Sequence, residues 1–134
     1  MDIRMKPVLV VEDDPDCRVL LETWLRLLDV PVLTAHDGRE GLRVAREQKP
    51  CLILLDFMMP VMGGREFRLI QAADPAISDV PVVLTSAHPR AREFATELHL
   101  YGVVEKPVSA DEIERLVKTF CLSSGEHTMA PPFD

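Results

Sequence analysis

The feature that most constrains the fold is a continuous apolar run at residues 52–55 (Leu-Ile-Leu-Leu) that ends in one carboxylate, Asp56. A strand that is apolar on both faces is typical of a parallel sheet covered by helices on both sides. Asp56 would then lie at the carboxyl end of a buried strand, where open α/β sheets place their ligands. The alternative is that Asp56 only caps the turn that follows it. The run alone leaves both interpretations open.

Three other apolar runs end in polar residues in the same way. Residues 8–11 lead into Glu12, Asp13 and Asp14, residues 80–84 into Thr85 and Ser86, and residues 102–104 into Glu105, Lys106 and Pro107. Because the carboxyl ends of parallel strands meet at one edge of a sheet, these side chains should converge with Asp56. This arrangement favours a functional site over a simple turn cap.

Strand and helix patterns alternate five times along the chain. Strands are predicted at 7–11, 30–34, 52–56, 80–85 and 100–105, and helices at 15–28, 37–48, 65–73, 89–98 and 109–120. Right-handed crossovers then give a five-stranded parallel sheet with helices on both faces, a doubly wound α/β fold. One domain is expected over residues 5–122. Residues 123–134 show no periodicity and are expected to be disordered.

Composition excludes several classes of protein. The chain has 134 residues, of which 28% are charged, and a formal net charge of −7, which argues against a nucleic-acid-binding face. None of its apolar runs approaches the length of a membrane span. Cys17, Cys51 and Cys121 lack a Cys-x-x-Cys spacing, so buried thiols in a reducing cytoplasm are predicted rather than a disulfide or a metal site.

The converging polar residues suggest a specific chemistry. Two carboxylates at about 4 Å repel each other by about 4 kcal/mol at an effective dielectric near 20, so Glu12, Asp13 and Asp56 together call for a cation. A set of oxygen ligands suits Mg²⁺ or Mn²⁺. The three acids, the Thr85 hydroxyl and the Lys106 ammonium together form a set of groups that is typical of phosphoryl transfer. In this set Asp56 would be the nucleophile.

The same residues identify a resemblance that covers residues 5–122. The chain resembles the receiver domain of two-component response regulators in five features that occur in order. These are the alternation of strands and helices, the acidic pair Glu12-Asp13, the motif Asp-x-x-Met-Pro-x-Met-x-Gly from Asp56 to Gly64, the Thr85-Ser86-Ala87 triplet, and Lys106-Pro107.

The resemblance implies a flavodoxin-like strand order of 2-1-3-4-5 and a cis peptide bond before Pro107. It implies that a sensor histidine kinase or a histidine phosphotransfer protein phosphorylates Asp56. It also implies that Mg²⁺ is held by the acidic pair, Asp56 and the backbone carbonyl of Met58. Such a domain is a cytoplasmic signalling module that catalyses only its own phosphorylation and slow dephosphorylation. Its fourth helix, fifth strand and fifth helix would form the surface for a downstream protein or a second copy.

Three departures from the family pattern bear on signalling. The first acid is Glu12 where Asp is common. Val103 stands where the family usually has the Tyr or Phe that changes rotamer on phosphorylation, and Tyr101 is the nearest substitute, expected to be a half-buried strand aromatic. Met58 and Ala87 would flank the path of a hydrolytic water, and neither can orient one, which predicts a long-lived phosphoryl group.

Three other functions fit the same architecture less well. A receiver-like dimerisation module that is not phosphorylated would normally have lost Asp56, Thr85 or Lys106. An aspartyl-phosphate phosphatase would need Asp at position 58, and a nucleotide or flavin module would need a glycine-rich loop in place of the three acids after the first strand. No output domain is expected in the residues that follow the fifth helix, so the chain is either a stand-alone receiver or part of a longer protein.

Overall fold

The computed structural model describes residues 5–122, and the predicted disordered tail lies outside the described residues. Five strands alternate with five helices, as predicted. The strands are β1 (Val8–Val11), β2 (Val32–Ala35), β3 (Leu52–Asp56), β4 (Val82–Ser86) and β5 (Gly102–Glu105). The helices are α1 (Pro15–Leu27), α2 (Gly38–Gln48), α3 (Gly64–Ala73), α4 (Ala91–Glu97) and α5 (Ala110–Phe120).

All five strands are parallel and form one sheet in the order β2-β1-β3-β4-β5. The doubly wound order that the resemblance implies is therefore confirmed. The register places Val11 beside Leu55 and Asp56 beside Thr85. β2 is an edge strand, which agrees with Pro31 directly before it, because proline cannot donate to a sheet.

Alternate residues of the central strands enter two separate apolar clusters. Leu9 and Ile53 belong to the cluster under α2, α3 and α4, whereas Val10 and Leu54 belong to the cluster under α1 and α5. All four side chains are at most 1% exposed. This explains why the sequence of β3 is a continuous apolar run and why only its last residue is polar.

Three helices begin at side-chain caps. Asp14 accepts a hydrogen bond from the backbone N–H of Asp16. The side chains of Asp37 and Ser109 accept from the N–H groups of Glu40 and Glu112, at 2.9 Å and 3.3 Å. Only one half of the Asp37 capping box forms, because the Glu40 carboxylate accepts from the N–H of His36 instead of the cap residue.

One strand boundary differs from the prediction, and one apolar residue of α3 faces solvent. β2 begins two residues later than predicted, since the N–H of Val30 closes the end of α1 by donating to Leu25. Leu69 of α3 is apolar but 60% exposed. It lies two residues beyond Phe67, whose side chain is buried, and therefore about 200° around the helix.

The prediction of three free thiols is wrong for two of the cysteines. Cys51, directly before β3, forms a disulfide with Cys121 at the end of α5, with Cα atoms 5.4 Å apart. The two residues are 70 positions apart in sequence, and the fold brings them together at the end of the sheet opposite to Asp56. Cys17 is a free thiol. Within residues 5–122, none of the helices is long and apolar enough to cross a bilayer.

Candidate functional site

The carboxyl ends of β1, β3, β4 and β5 bring the predicted polar side chains together. Glu12 and Asp13 follow β1, Asp56 is the last residue of β3, and Thr85 lies beside Asp56 in β4. Lys106 follows β5, and its bond to Pro107 is cis, as the resemblance implies. The fold therefore gathers the acids, the hydroxyl and the ammonium at one edge of the sheet.

Asp56 lies in an environment that disfavours its charged form. The residue is only 6% exposed. Burial, together with the negative charge of Glu12, raises the pKa of the Asp56 carboxyl to about 7, against the opposing effect of Lys106. Without a bound cation, Asp56 therefore holds its proton up to nearly neutral pH.

Lys106 is shared between two acids. Its Nζ lies 2.9 Å from Glu12 Oε1 and 3.3 Å from Asp56 Oδ1. Partial burial lowers the pKa of the Lys106 ammonium, but contact with Glu12 and the charge of Asp56 outweigh burial and raise it. The contact with Glu12 is an ion pair by distance, although its angles are too poor for a hydrogen bond. The extra methylene of Glu12 thus lets this acid reach the lysine.

Three carboxylates could hold a divalent cation. Glu12, Asp13 and Asp56 each offer one oxygen, and these oxygens lie within 4.8 Å of one another. Glu12 Oε1 is buried and accepts no hydrogen bond within residues 5–122. The all-oxygen ligand set fits Mg²⁺ or Mn²⁺. Met58, whose carbonyl the resemblance adds to this set, lies in the loop after β3 with its side chain 65% exposed.

The Thr85 hydroxyl is a second group without a partner. Thr85 is 1% exposed, and its Oγ1 makes no hydrogen bond to any described residue. Leaving a buried hydroxyl unpaired costs about 1–3 kcal/mol, and a catalytic or binding role is one explanation for such a group. Since Asp56 is its neighbour in the sheet, the hydroxyl is available to an oxygen atom carried by that carboxylate.

An aromatic stack beside the site was not predicted from the sequence. Phe57, the residue after Asp56, stacks on Phe94 of α4 with ring centroids 4.4 Å apart and an interplanar angle of 8°. The His88 ring lies 5.1 Å from the Phe94 ring, and Arg90 lies over it at 5.5 Å. These contacts join the loop after Asp56 to α4. The only sequence signal was the pair of aromatic residues in otherwise unrelated segments.

Arg18 is another residue near the site that was not predicted from the sequence. Its Nη1 donates to the backbone carbonyl of Glu12 at 2.8 Å and lies 3.4 Å from that of Asp13. Its place in the first turns of α1, soon after the acids, was the signal that could have identified it.

Val103 occupies the position of the family's aromatic residue that changes rotamer, and Tyr101 is the nearest aromatic residue in the sequence. Val103 is 6% exposed and packs in the cluster under α4. Tyr101 precedes β5 and is 37% exposed. The Tyr101 ring packs edge-on against Phe120 of α5, with ring centroids 5.1 Å apart. Phe120 belongs to the cluster under α1 and α5, on the face of the sheet opposite to Val103. Ala87 is exposed after β4, near the rim of the site.

Comparison with known families decides the classification of this chain. A sequence model of the response regulator receiver domain matches residues 8–118, most of the chain. The chain belongs to the response regulator receiver domain family. Its fold, with strand order 2-1-3-4-5, is the fold of this family.

Individual relatives agree with this classification. A probable transcriptional regulator, ycf27, of Cyanophora paradoxa is 32% identical over 132 residues, which is 97% of this chain and 54% of that protein. The chain spans about half the length of the curated relatives that it matches.

Solved receiver structures have the same fold. The receiver domain of the sensor histidine kinase PA1611 from Pseudomonas aeruginosa, described with magnesium coordinated in its active-site cleft, has a TM-score of 0.80. It is 26% identical, and the match covers 87% of this chain and 98% of that domain. The Vibrio cholerae chemotaxis protein CheY4 has a TM-score of 0.79 and 25% identity, over 87% of this chain and 99% of that protein.

Proposed function

We propose that this receiver domain, residues 5–122, accepts a phosphoryl group on Asp56 from the phosphohistidine of a sensor histidine kinase or a phosphotransfer protein. The observation that carries the proposal is the buried, unpaired Thr85 hydroxyl beside the buried carboxylate of Asp56, with Lys106 Nζ 3.3 Å from that carboxylate. A receiver-like module that is not phosphorylated would normally have lost Asp56, Thr85 or Lys106, and all three are present.

The reaction uses each of these groups in a separate role. A carboxylate oxygen of Asp56 attacks the phosphorus atom, the P–N bond to the donor imidazole breaks, and its electron pair stays on that nitrogen. Lys106 neutralises charge on the transferring oxygens, and the Thr85 hydroxyl donates a hydrogen bond to one of them. Asp56 must be ionised to attack, and a bound cation would favour this charged form against the burial and the Glu12 charge that raise its pKa.

Mg²⁺, when bound, supplies the positive charge that brings the acids and the phosphoryl oxygens together. Glu12, Asp13, Asp56 and the carbonyl of Met58 would hold it, with Mn²⁺ as a substitute. The support is the set of three carboxylates whose oxygens lie within 4.8 Å of one another.

Signalling is proposed to run through the surface formed by α4, β5 and α5. The Phe57–Phe94 stack supports this route, because it connects the residue after Asp56 directly to α4. The partner at this surface is a downstream protein or a second copy of the receiver. The kinase partner and the receiver family both favour a cytoplasmic location.

The test is phosphate uptake from a small acyl phosphate in the presence of Mg²⁺. Wild type should gain one phosphoryl group by mass spectrometry, labile in acid as an acyl phosphate is, and Asp56→Asn should gain none while remaining folded. Asp79→Asn, which changes an exposed loop acid, is the matched control. Undiminished labelling of the Asp56 variant would show that the acceptor lies elsewhere.

A further inference from the structure

Arg18 contacts the backbone of the loop that carries the acidic pair. The loop between β1 and α1 has only three residues, Glu12 to Asp14. The Nη1 of Arg18 lies 2.8 Å from the carbonyl oxygen of Glu12 and 3.4 Å from that of Asp13. The backbone N–H of Arg18 also donates to the Asp14 carbonyl at 2.9 Å. One side chain and its own peptide therefore reach all three residues of the loop.

These contacts matter because the Asp13 carboxylate has no side-chain support. Glu12 is held by Lys106 and by the N–H of Asp14, which donates to its Oε2 at 3.2 Å. Within residues 5–122, no hydrogen bond or ion pair to the carboxylate of Asp13 is found, and the residue is partly exposed. The direction of this carboxylate therefore depends on the backbone, and the backbone is held by Arg18.

We propose that Arg18 is a positioning residue for the cation site, which orients Asp13 by fixing the peptide groups on either side of it. The inference rests on the proposed function, since it concerns the cation that this function requires. Partners that orient metal ligands without touching the metal typically change metal affinity by about 10- to 100-fold when they are removed. The same range is expected here.

A purely electrostatic role for Arg18 would have the opposite effect. The guanidinium places a positive charge on the backbone of the loop that carries Glu12 and Asp13, so its removal would strengthen the attraction for a divalent cation. Positioning predicts weaker binding after removal, and charge alone predicts tighter binding. The sign of the change therefore separates the two roles.

The experiment is a titration of the full chain with Mn²⁺ alone, in which free Mn²⁺ is measured by electron paramagnetic resonance. Arg18→Met is expected to raise the Kd about tenfold or more. Arg26→Met is the matched control, because Arg26 is an exposed arginine of the same helix whose side chain pairs with Glu22 and not with the acidic loop. The control should bind Mn²⁺ as wild type does.

The titration is repeated in 1 M KCl, where charge effects are screened over about 3 Å. The ratio of the Arg18→Met Kd to the wild-type Kd should persist there, since a misplaced ligand is not restored by salt. An unchanged or lower Kd for Arg18→Met, or a ratio that vanishes at high salt, would overturn the role of Arg18. If wild type itself bound no Mn²⁺, the cation site of the proposed function would fail as well. Circular dichroism and urea unfolding of each variant establish that the protein titrated is folded.

Discussion

Because the pKa of Asp56 is raised, we predict that the unphosphorylated protein becomes more stable when this carboxyl is replaced by a neutral group. In the absence of a cation, the residue is 6% exposed, faces the charge of Glu12, and has a pKa raised to about 7. Asp56→Asn replaces the carboxyl by a neutral group of nearly the same shape. We expect the variant to be more stable than wild type at pH 8 in the presence of EDTA.

The direction of the stability change follows from the linkage between proton binding and folding. A carboxyl whose pKa is higher in the folded protein binds its proton more tightly there, so the free energy of unfolding falls as the pH rises from about 4 to about 7. The difference between the ordinary aspartate value of 3.8 and about 7 corresponds to about 4 kcal/mol at pH 8. Between pH 5 and pH 8, the advantage of Asp56→Asn should grow by roughly 2–3 kcal/mol.

The measurement is urea unfolding of both proteins at several pH values between 5 and 8, with EDTA present and with equal m-values as the check on two-state behaviour. Asp79→Asn should show no such dependence, because Asp79 is an exposed loop residue. An advantage that is absent, or that stays constant over this pH range, would refute the claim that burial and Glu12 disfavour the charge on Asp56. Adding Mg²⁺ should stabilise wild type and leave Asp56→Asn nearly unchanged.

Three further predictions concern the loops and the signalling surface. Met58→Asn and Ala87→Glu should speed phosphate loss in excess Mg²⁺ by about 10²-fold, because each adds a group that can orient water; equally fast loss from wild type would contradict this. Phe57→Leu and Phe94→Leu should show a coupling of about 1 kcal/mol in a double-mutant cycle of urea unfolding, and simple additivity would mean that the stack carries no energy. Tyr101→Ala should lower the free energy of unfolding by about 1 kcal/mol but leave the rate of phosphorylation unchanged, and slower phosphorylation would show that this ring acts in the switch.

The fold was largely predictable because the signal is repeated along the chain. Each core strand is an unbroken apolar run, and helix caps such as Asp37 and Ser109 stand before the helices that they begin. The failures are local. Leu69 is apolar but exposed, because two residues of one helix turn cannot both face inward from positions 67 and 69. The start of β2 depends on a hydrogen bond from Val30 to Leu25, which no periodicity encodes.

The site was predictable in its residues but not in its contacts. Glu12, Asp56 and Lys106 stand at the ends of predicted strands, and we could predict that they meet because the carboxyl ends of parallel strands lie at one edge of the sheet. That Lys106 lies nearer to Glu12 than to Asp56 depends on side-chain reach, which spacing does not reveal. The Cys51–Cys121 pairing was missed for a related reason: which cysteines meet cannot be deduced from their positions in a chain.

The disulfide also determines which parts of the protein would carry a mechanical load. If the chain is pulled at residues 5 and 122, tension runs from residue 5 to Cys51, crosses the sulfur atoms, and leaves through Cys121. The 70 positions between the two cysteines are bypassed, which withholds roughly 240 Å of extension until the bond is reduced. Asp56 lies within this unloaded loop, whereas Glu12 and Asp13 lie in the loaded half. Tension would therefore pass through the chain that carries Glu12 and Asp13 and bypass the disulfide-closed loop that carries Asp56.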